Sequence, residues 1–400
     1  MSELYDVVPL SSVVKINSGI ALPKIFKGKE FTEGEYEFFK VAQMNNDSKV
    51  MKGADLKFTE SQSNEYKIKL FPKGSILIPK RGGAILTNKK RILEREASYD
   101  SNIMGLKADN NVLIDEFLFV YMNSIKLSDY IDTSTIPQIN NKHIDLMEIP
   151  LPPLQEQKRI VAKLDTLFEK IDKAIALHQK NMDEADVFMG SVLNEVFGEL
   201  EEKSERYKIA NVYDLKTGGT PSTNKKDYWD NGNIKWLSSS DINQIQIYDC
   251  KGRITQLGFD NSNTKIIEKD SVLIALNGQG KTRGSVAMLR TEATLNQSLV
   301  AMIPKDRNKN VSDFLFRNLQ MRYIEIRELT GLNDRRGLNM NLIRNIEVPI
   351  PPVSIQQKVV KYLDEISQKV EILKQVQNDK MASLKALKAS ILDQAFRGKL

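Results

Sequence analysis

The string NGQGKT, Asn277 to Thr282, is the part of the chain closest in type and spacing to a catalytic loop. A phosphate-cradling loop needs glycine five residues before the glycine of its Gly-Lys-Thr, and counting back from Gly280 that position is Ala275. The RGSVAML that follows reads as a strand, not as the helix whose N-terminus would hold phosphate, so a hairpin tip is expected. Two Pro-Pro strings, Pro152-Pro153 and Pro351-Pro352, bring to mind the motif with which amino-methyltransferases hold a target amine. Leu151 and Ile350 precede them and Leu154 and Val353 follow, so neither supplies the polar group. Two histidines, His143 and His178, and one cysteine, Cys250, leave little for zinc, a thiolate cluster or Ser-His-Asp chemistry, and no metal site is expected.

What remains is a set of basic and amide side chains at turn-like positions. In the first half these are Gln43 in EFFKVAQMN, Lys80 and Arg81, Lys89, Lys90 and Arg91 in NKKR, and Gln138, Asn140 and Asn141 in PQINNKH. In the second half they are Ser238 and Ser239 in WLSSSDINQ, then Asn277, Gln279, Lys281 and Arg283, then Arg335, Arg336 and Asn339 in NDRRGLNMN. Arginine and lysine supply phosphate affinity, and Asn, Gln and Arg carry the paired donors and acceptors that distinguish base edges. For any single residue a solvated surface loop is the plain alternative. Recurrence of such loops in both halves favours the set.

The elements that must position them come twice. IPLPPLQEQKRIVAKLD, from Ile149, returns as VPIPPVSIQQKVVKYLD, from Val348, an offset of 349 − 150 = 199 at the first proline. The match runs without a gap from Asn140/Asn339 to Phe197/Phe396. Upstream it is weaker but in the same order: VVKINSG on VYDLKTG, Phe39 on Trp236, SILI on SVLI and DEFLF on SDFLF. The expected organisation is a mixed part at 1–148, a spacer helix at 149–200, a second mixed part at 205–347 and a second helix at 348–400, with a polar linker at 198–206. Within the mixed parts, SILIPK, VLIAL and SVAML read as strands and DEFLFVYMNS and SDFLFRNLQMR as helices, with His143 just before a strand.

After each Pro-Pro, tolerated only in the first helical turn, apolar residues recur in steps of three and four. The first stripe is Ile160, Leu164, Leu167, Ile171, Ile175, His178, Met182, Ala185, Met189, Val192 and Val196. The second is Val359, Leu363, Ile366, Val370 and Leu373, broken by Gln377 and Lys380 before Leu384, Leu387 and Ile391. Such seams are those of a coiled coil, and about 40 residues make a rod of roughly 60 Å. The simplest partner of each helix is the other, antiparallel. The fold class is therefore α+β: two tandem α/β domains joined by two long antiparallel coiled-coil helices, with a pseudo-twofold internal repeat.

A composition of 41% hydrophobic and 28% charged residues is that of a globular chain, and 400 residues leave room for two or more domains. The net charge of +6 permits a polyanionic partner without requiring one. No long apolar run and no signal-like start are present, so a cytoplasmic protein without membrane contact is expected.

The two PPLQEQ-type strings, WLSSSDI and the closing LKALKASILDQAFRGKL together resemble the specificity subunit of prokaryotic type I restriction-modification systems, across essentially the whole chain. The second copy departs from the motif, with Val353, Ser354 and Ile355 where Leu154, Gln155 and Glu156 stand, while Pro351, Pro352 and Gln356 are kept. The resemblance implies a non-catalytic subunit whose mixed parts are target recognition domains, each reading one half of a split sequence in double-stranded DNA. The helices would be the ruler that sets the gap, with Pro152, Pro153, Gln157, Pro351, Pro352 and Gln356 serving the spacer or the contact with partner subunits. Two modification subunits would bring S-adenosylmethionine and methylate adenine N6, and restriction subunits would use ATP and Mg2+; no cofactor belongs to this chain. A non-catalytic protein-interaction scaffold with a coiled-coil core stays open beside this reading. A self-contained methyltransferase or endonuclease would need the motifs that are missing.

Overall fold

The computed structural model describes residues 5–26, 31–46, 48–131, 136–278, 280–330 and 337–399. It divides into two compact units, residues 1–178 with 378–400, and residues 179–377.

In the first unit the central sheet runs Val14–Ser18, Ile103–Ala108, Ile76–Pro79, Arg91–Ile92, all neighbours antiparallel. Its middle strand, ILIP, is buried on both faces, which is why it reads as an unbroken apolar run rather than an alternation. Ile76 and Ile78 face the core that holds the helix Asp115–Ser124, through Phe117, Leu118 and Met122, while Leu77 faces Phe39, Phe71 and Tyr99. A smaller sheet of Leu56–Phe58, Tyr36–Phe39 and Ser98–Tyr99 lies on that second side. The strand Val7–Pro9 pairs with Glu148–Pro150, so the entering and leaving chain are stapled together just before the long helix starts.

The second unit repeats the design. Its sheet runs Tyr213–Thr217, Leu299–Pro304, Ser271–Ala275, Val286–Leu289, Gln246–Ile247, and only the last pair is parallel. Val272 and Ile274 face the core of the helix Ser312–Met321, and Leu273 and Ala275 face Leu237, Ile247 and Leu295. Arg206–Lys208 pairs with Glu347–Pro349 as the matching staple.

The long helices are Leu154–Lys203 and Val353–Phe396. In the first unit Ile160 and Leu164 share one core with Ile391, Leu392 and Ala395, and Lys388 Nζ binds the Asp172 carboxylate at 2.8 Å. In the second, Val192, Leu193 and Phe197 pack with Leu363 and Ile366, and Lys374 Nζ meets Asp186 at 2.7 Å. Early residues of one helix thus meet late residues of the other in each unit, the antiparallel pairing expected from the seam. The expected linker at 198–206 is different: the helix continues through Lys203. GELEEK is made mostly of helix formers, and the Glu199–Lys203 pair at i,i+4 supports the last turn at 3.2 Å. His143 precedes the strand Glu148–Pro150, in the short helix Asn141–Asp145, buried, with its Nδ1 accepting from the Asn140 backbone N–H. Among the described residues no helix is long and apolar enough to cross a membrane.

Candidate nucleic-acid interface

The same five chain segments meet at one edge of the central sheet in both units, held by four equivalent backbone bonds. The residue after the glycine that follows the first strand donates to a strand of the second layer: Ile20 N to Tyr99 O at 2.9 Å, and Gly219 N to Leu295 O, at the end of the strand Ala293–Leu295, at 3.0 Å. One residue further, Asp100 N donates to Phe39 O and Asn296 N to Leu237 O, both at 2.9 Å. Lys80 N donates to Asn102 O at 2.7 Å, and Leu276 N to Ser298 O at 2.8 Å. Ile139 N donates to Lys80 O at 3.0 Å, and Leu338 N to Leu276 O at 2.9 Å. Glycine is required where the first segment turns, because a Cβ on Gly19 would lie 1.9 Å from Asp100 O and one on Gly218 1.7 Å from Leu295 O.

In the first unit this edge gathers Lys80, Arg81 and Gln138, the last two joined as a backbone bridge and both exposed. Lys80 Nζ donates to Ser18 Oγ at 3.0 Å. Gln43, in the turn after Phe39, is tied at both ends of its amide, accepting from Lys40 N at 2.7 Å and donating to Asp55 at 2.8 Å. Asn140 precedes the short helix, with its side-chain oxygen buried and unpaired among the described residues, and Asn141 is exposed on the helix's first residue.

In the second unit the edge gathers Asn277, Ser238 and Asn339. The Asn277 amide packs against Gly337, where a Cβ would sit 1.6 Å from its Oδ1 and move that side chain. Ser238 caps the following turn with its Oγ and N–H both on Asp241 Oδ2 at 2.9 Å, and Ser239 beside it is half-buried. Asn339 is a helix cap, its Oδ1 accepting from Leu342 N at 3.0 Å. Lys281 is exposed on the hairpin between Ser271–Ala275 and Val286–Leu289, whose two antiparallel strands exclude the strand-to-helix turn of a phosphate loop. Gln279, Arg335 and Arg336 lie outside the described residues.

Four expected DNA contacts are placed elsewhere. Lys90 is 1% exposed, and its Nζ donates to Asn88 Oδ1 and Ile125 O, each at 2.8 Å. Burial pulls its pKa down to about 7, and a neutral amine still has two N–H groups for these two acceptors. Arg91 is buried and braces the turn after Phe39, its guanidinium on Met44 O at 2.7 Å and on Asn46 O. Lys89 Nζ holds Asn45 O at 2.6 Å. Arg283 is buried under Arg327, whose Nη1 donates to the Arg283 carbonyl at 2.8 Å. Lys89, Lys90 and Arg91 thus hold loop carbonyls with their side chains, and Arg283 offers its own carbonyl to Arg327.

Several edge residues escaped the sequence reading: Ser18, Asn102, Thr217, Gln297 and Ser298. Their signal was present in the weak repeat. Aligning the copies at 296 − 100 = 196 sets DSNI on NQSL, and Asp100 and Asn296 make the same turn, accepting from Asn102 N at 2.8 Å and Ser298 N at 3.0 Å. Cys250 is buried, and desolvation pushes its thiol pKa up, the opposite of what a nucleophile needs. No cluster of three metal-ligating side chains occurs among the described residues.

The prolines and glutamines of the repeated motif join each domain to its helix. Gln157 is fully buried; its Oε1 accepts from Ile114 N at 2.9 Å, and its Nε2 donates to Val112 O and Pro152 O at 2.8 Å. Gln356 repeats this with Val311 N at 2.9 Å, and Lys309 O and Pro351 O at 2.8 Å. Pro153 and Pro352 leave their carbonyls to cap the first turn, each accepting from two helix N–H groups.

The type I restriction modification DNA specificity domain matches the chain twice, over residues 2–181 and 201–379. The chain belongs to that family and carries its DNA specificity domain in tandem. The EcoKI specificity subunit of Escherichia coli strain K12 is 22% identical over 100% of this chain and 90% of its own length. The MjaVIII specificity subunit of Methanocaldococcus jannaschii is 26% identical over 92% of this chain and 88% of its own. The EcoR124I/EcoR124II specificity subunit of Escherichia coli is 24% identical, the match spanning 66% of this chain and 65% of that protein. Among solved structures, a chain from a study of complex assembly and conformational transition of the type I R-M system superposes with a TM-score of 0.75 at 21% identity, covering 99% of this chain and 98% of that one. The HsdS subunit from Thermoanaerobacter tengcongensis gives 0.56 at 21% identity, covering 99% and 97%. Both carry the tandem α/β fold.

Proposed function

We propose that this chain is the DNA-reading subunit of a type I restriction-modification complex, each unit reading one half of a bipartite target through its strand-end cluster. The observation that carries the reading is the pair of equivalent edges, with the same four backbone bonds and different side chains. Lys80, Arg81 and Gln138 in one unit stand against Leu276, Asn277 and Gly337 in the other. A fixed frame with exchanged donors and acceptors is what two different half-sites require. The helix pair sets the gap between them. The chain itself catalyses nothing: two modification subunits bring S-adenosylmethionine and methylate adenine N6, and restriction subunits use ATP and Mg2+ to cut. It works in the cytoplasm, where the DNA is.

Sequencing of modified bases in DNA from a host that expresses this chain with its modification subunit tests the proposal. The expected result is a two-part motif with a constant gap and N6-methyladenine in each half. An assembled complex that leaves the DNA unmodified would overturn it in favour of a scaffold. Adding S-adenosylmethionine to the purified chain alone should give no methylation, and methylation there would make the chain an enzyme.

A further inference from the structure

The second unit carries a loop, Gly219 to Lys226, that the reading above leaves without a role. Its sequence GTPSTNKK is a run of hydroxyl, amide and ammonium groups, and residues 222–226 are all exposed. Exposed polar loops are ordinarily loose, yet this one is pinned by both tryptophans of the chain. Trp236 Nε1 donates to Gly219 O at 3.0 Å and Trp229 Nε1 to Ser222 O at 3.1 Å, and the two indoles pack edge to face at 5.0 Å. Thr220 Oγ1 donates to Gln297 Oε1 at 2.6 Å, which ties the loop to the strand-end cluster. Lys225 is occupied, its Nζ on Tyr228 OH at 3.0 Å and 4.9 Å above that ring, whereas Lys226 has no ion-pair partner among the described residues. In the matching stretch of the first unit, Ile20, Leu22, Ile25 and Phe26 turn inward on Phe38 and Phe58, and Lys24 is exposed.

We infer that the loop Gly219–Lys226 is a phosphate-binding site for the DNA backbone beside the second half-site, with Lys226 as its charge and the Ser222 and Thr223 hydroxyls as neutral donors. This rests on the DNA-reading function proposed above and adds to it a grip on the backbone beside the second half-site, made by a pre-formed loop. Pre-forming matters because ordering a loose loop on binding would consume the gain of the contact. Phosphate contacts place a protein on the duplex but carry no sequence information.

The test uses the full chain assembled with its modification subunits and a duplex containing its bipartite target. Lys226→Ala should weaken binding equally for every base sequence in the second half-site. Its log K against log salt should be shallower by about 0.9, so raising salt from about 50 to about 200 mM costs the parent roughly threefold more affinity than the variant. Lys226→Arg should restore both properties. Neutral methylphosphonates placed one at a time should weaken the parent at one or two positions beside the second half-site and leave Lys226→Ala indifferent there. A variant with parental affinity and salt slope, or a loss that follows base identity, would overturn the site while specific recognition stands. A parental complex with no preference for any bipartite duplex would bring down the functional reading, and this site with it.

Discussion

Gln157→Leu tests how a recognition domain is locked to its helix. The side chain is fully buried, so leucine of similar size keeps the packing while one N–H (Ile114) and two carbonyls (Val112, Pro152) lose their partner. A buried polar group left unpaired costs about 1 to 3 kcal/mol, so the lower bound for three is about 3 kcal/mol, roughly a hundredfold in the local opening equilibrium. Hydrogen exchange read by mass spectrometry should show that acceleration in peptides covering 112–124 and 154–164, with 309–321 and 353–363 unchanged. Gln356→Leu should give the reverse pattern. Gln157→Glu adds a pH signature. Its carboxylate would face two carbonyl oxygens in a dry site, which raises its folded pKa above the unfolded value. The variant's stability is then present at low pH and lost as pH rises through the folded pKa, so its denaturation midpoint should fall between about pH 5 and about pH 8 while the parent's holds. Exchange unchanged in both glutamine-to-leucine variants, or accelerated evenly over both domains, would refute the idea of two separate locks.

Other outcomes follow from the same geometry. Lys90 has a folded pKa of about 7 against an ordinary 10.5, so below about 7 both states carry the proton and the buried charge weighs fully on the fold. Stability should therefore climb from about pH 7 to about pH 10.5, by up to about 1.4 kcal/mol per pH unit. Lys90→Met should flatten that climb in urea titrations and leave the salt slope of DNA binding unchanged; a lost salt slope would return Lys90 to the phosphates. Arg81→Ala should cost about 1 to 3 kcal/mol of discrimination at the first half-site alone, and Asn277→Ala the same at the second, measured by competition among duplexes with single-base changes. Effects of either variant on both halves would argue against independent reading. Exchanging residues 205–347 for another such domain should change one half of the methylated motif and keep the other.

The repeat and the helices were legible because both are periodic: an offset held over tens of residues and a seam of threes and fours need no tertiary knowledge. Strand runs such as Ile76–Pro79 and Ser271–Ala275 were legible for the same reason, their burial on both faces leaving no polar alternation to blur them. Lys90, Arg91 and Arg283 are buried, which the sequence does not show because a charged residue in a turn-like string looks solvated. What buries Lys90 and Arg91 is the set of carbonyls of Ile125, Met44 and Asn46, brought in from elsewhere in the chain by the fold. Asp100 stands outside the basic and amide strings that the sequence offers. Its carboxylate accepts from the N–H groups of Val41 and Asn102, so it serves as a turn former, the part Asn296 plays with an amide.

That exchange of Asp100 for Asn296 points to how such a chain can change its target without losing its fold. Each of the four edge bonds runs from backbone to backbone, so the frame makes no demand on side-chain chemistry beyond the glycines that permit close approach. Of the residues that vary between the halves at this edge, Lys80 and Leu276 each have both backbone groups in the frame's bonds, and Arg81 and Asn277 follow them directly. Under the proposed function, substitution there would alter what is offered to a base edge at little cost to stability, whereas substitution at Gln157 or Gln356 is expected to unlock a domain and alter no base contact. The positions at Lys80, Arg81, Leu276 and Asn277 that would set specificity under that function are distinct from Gln157 and Gln356, which hold the fold, so a change of half-site there would need no compensating change in the core.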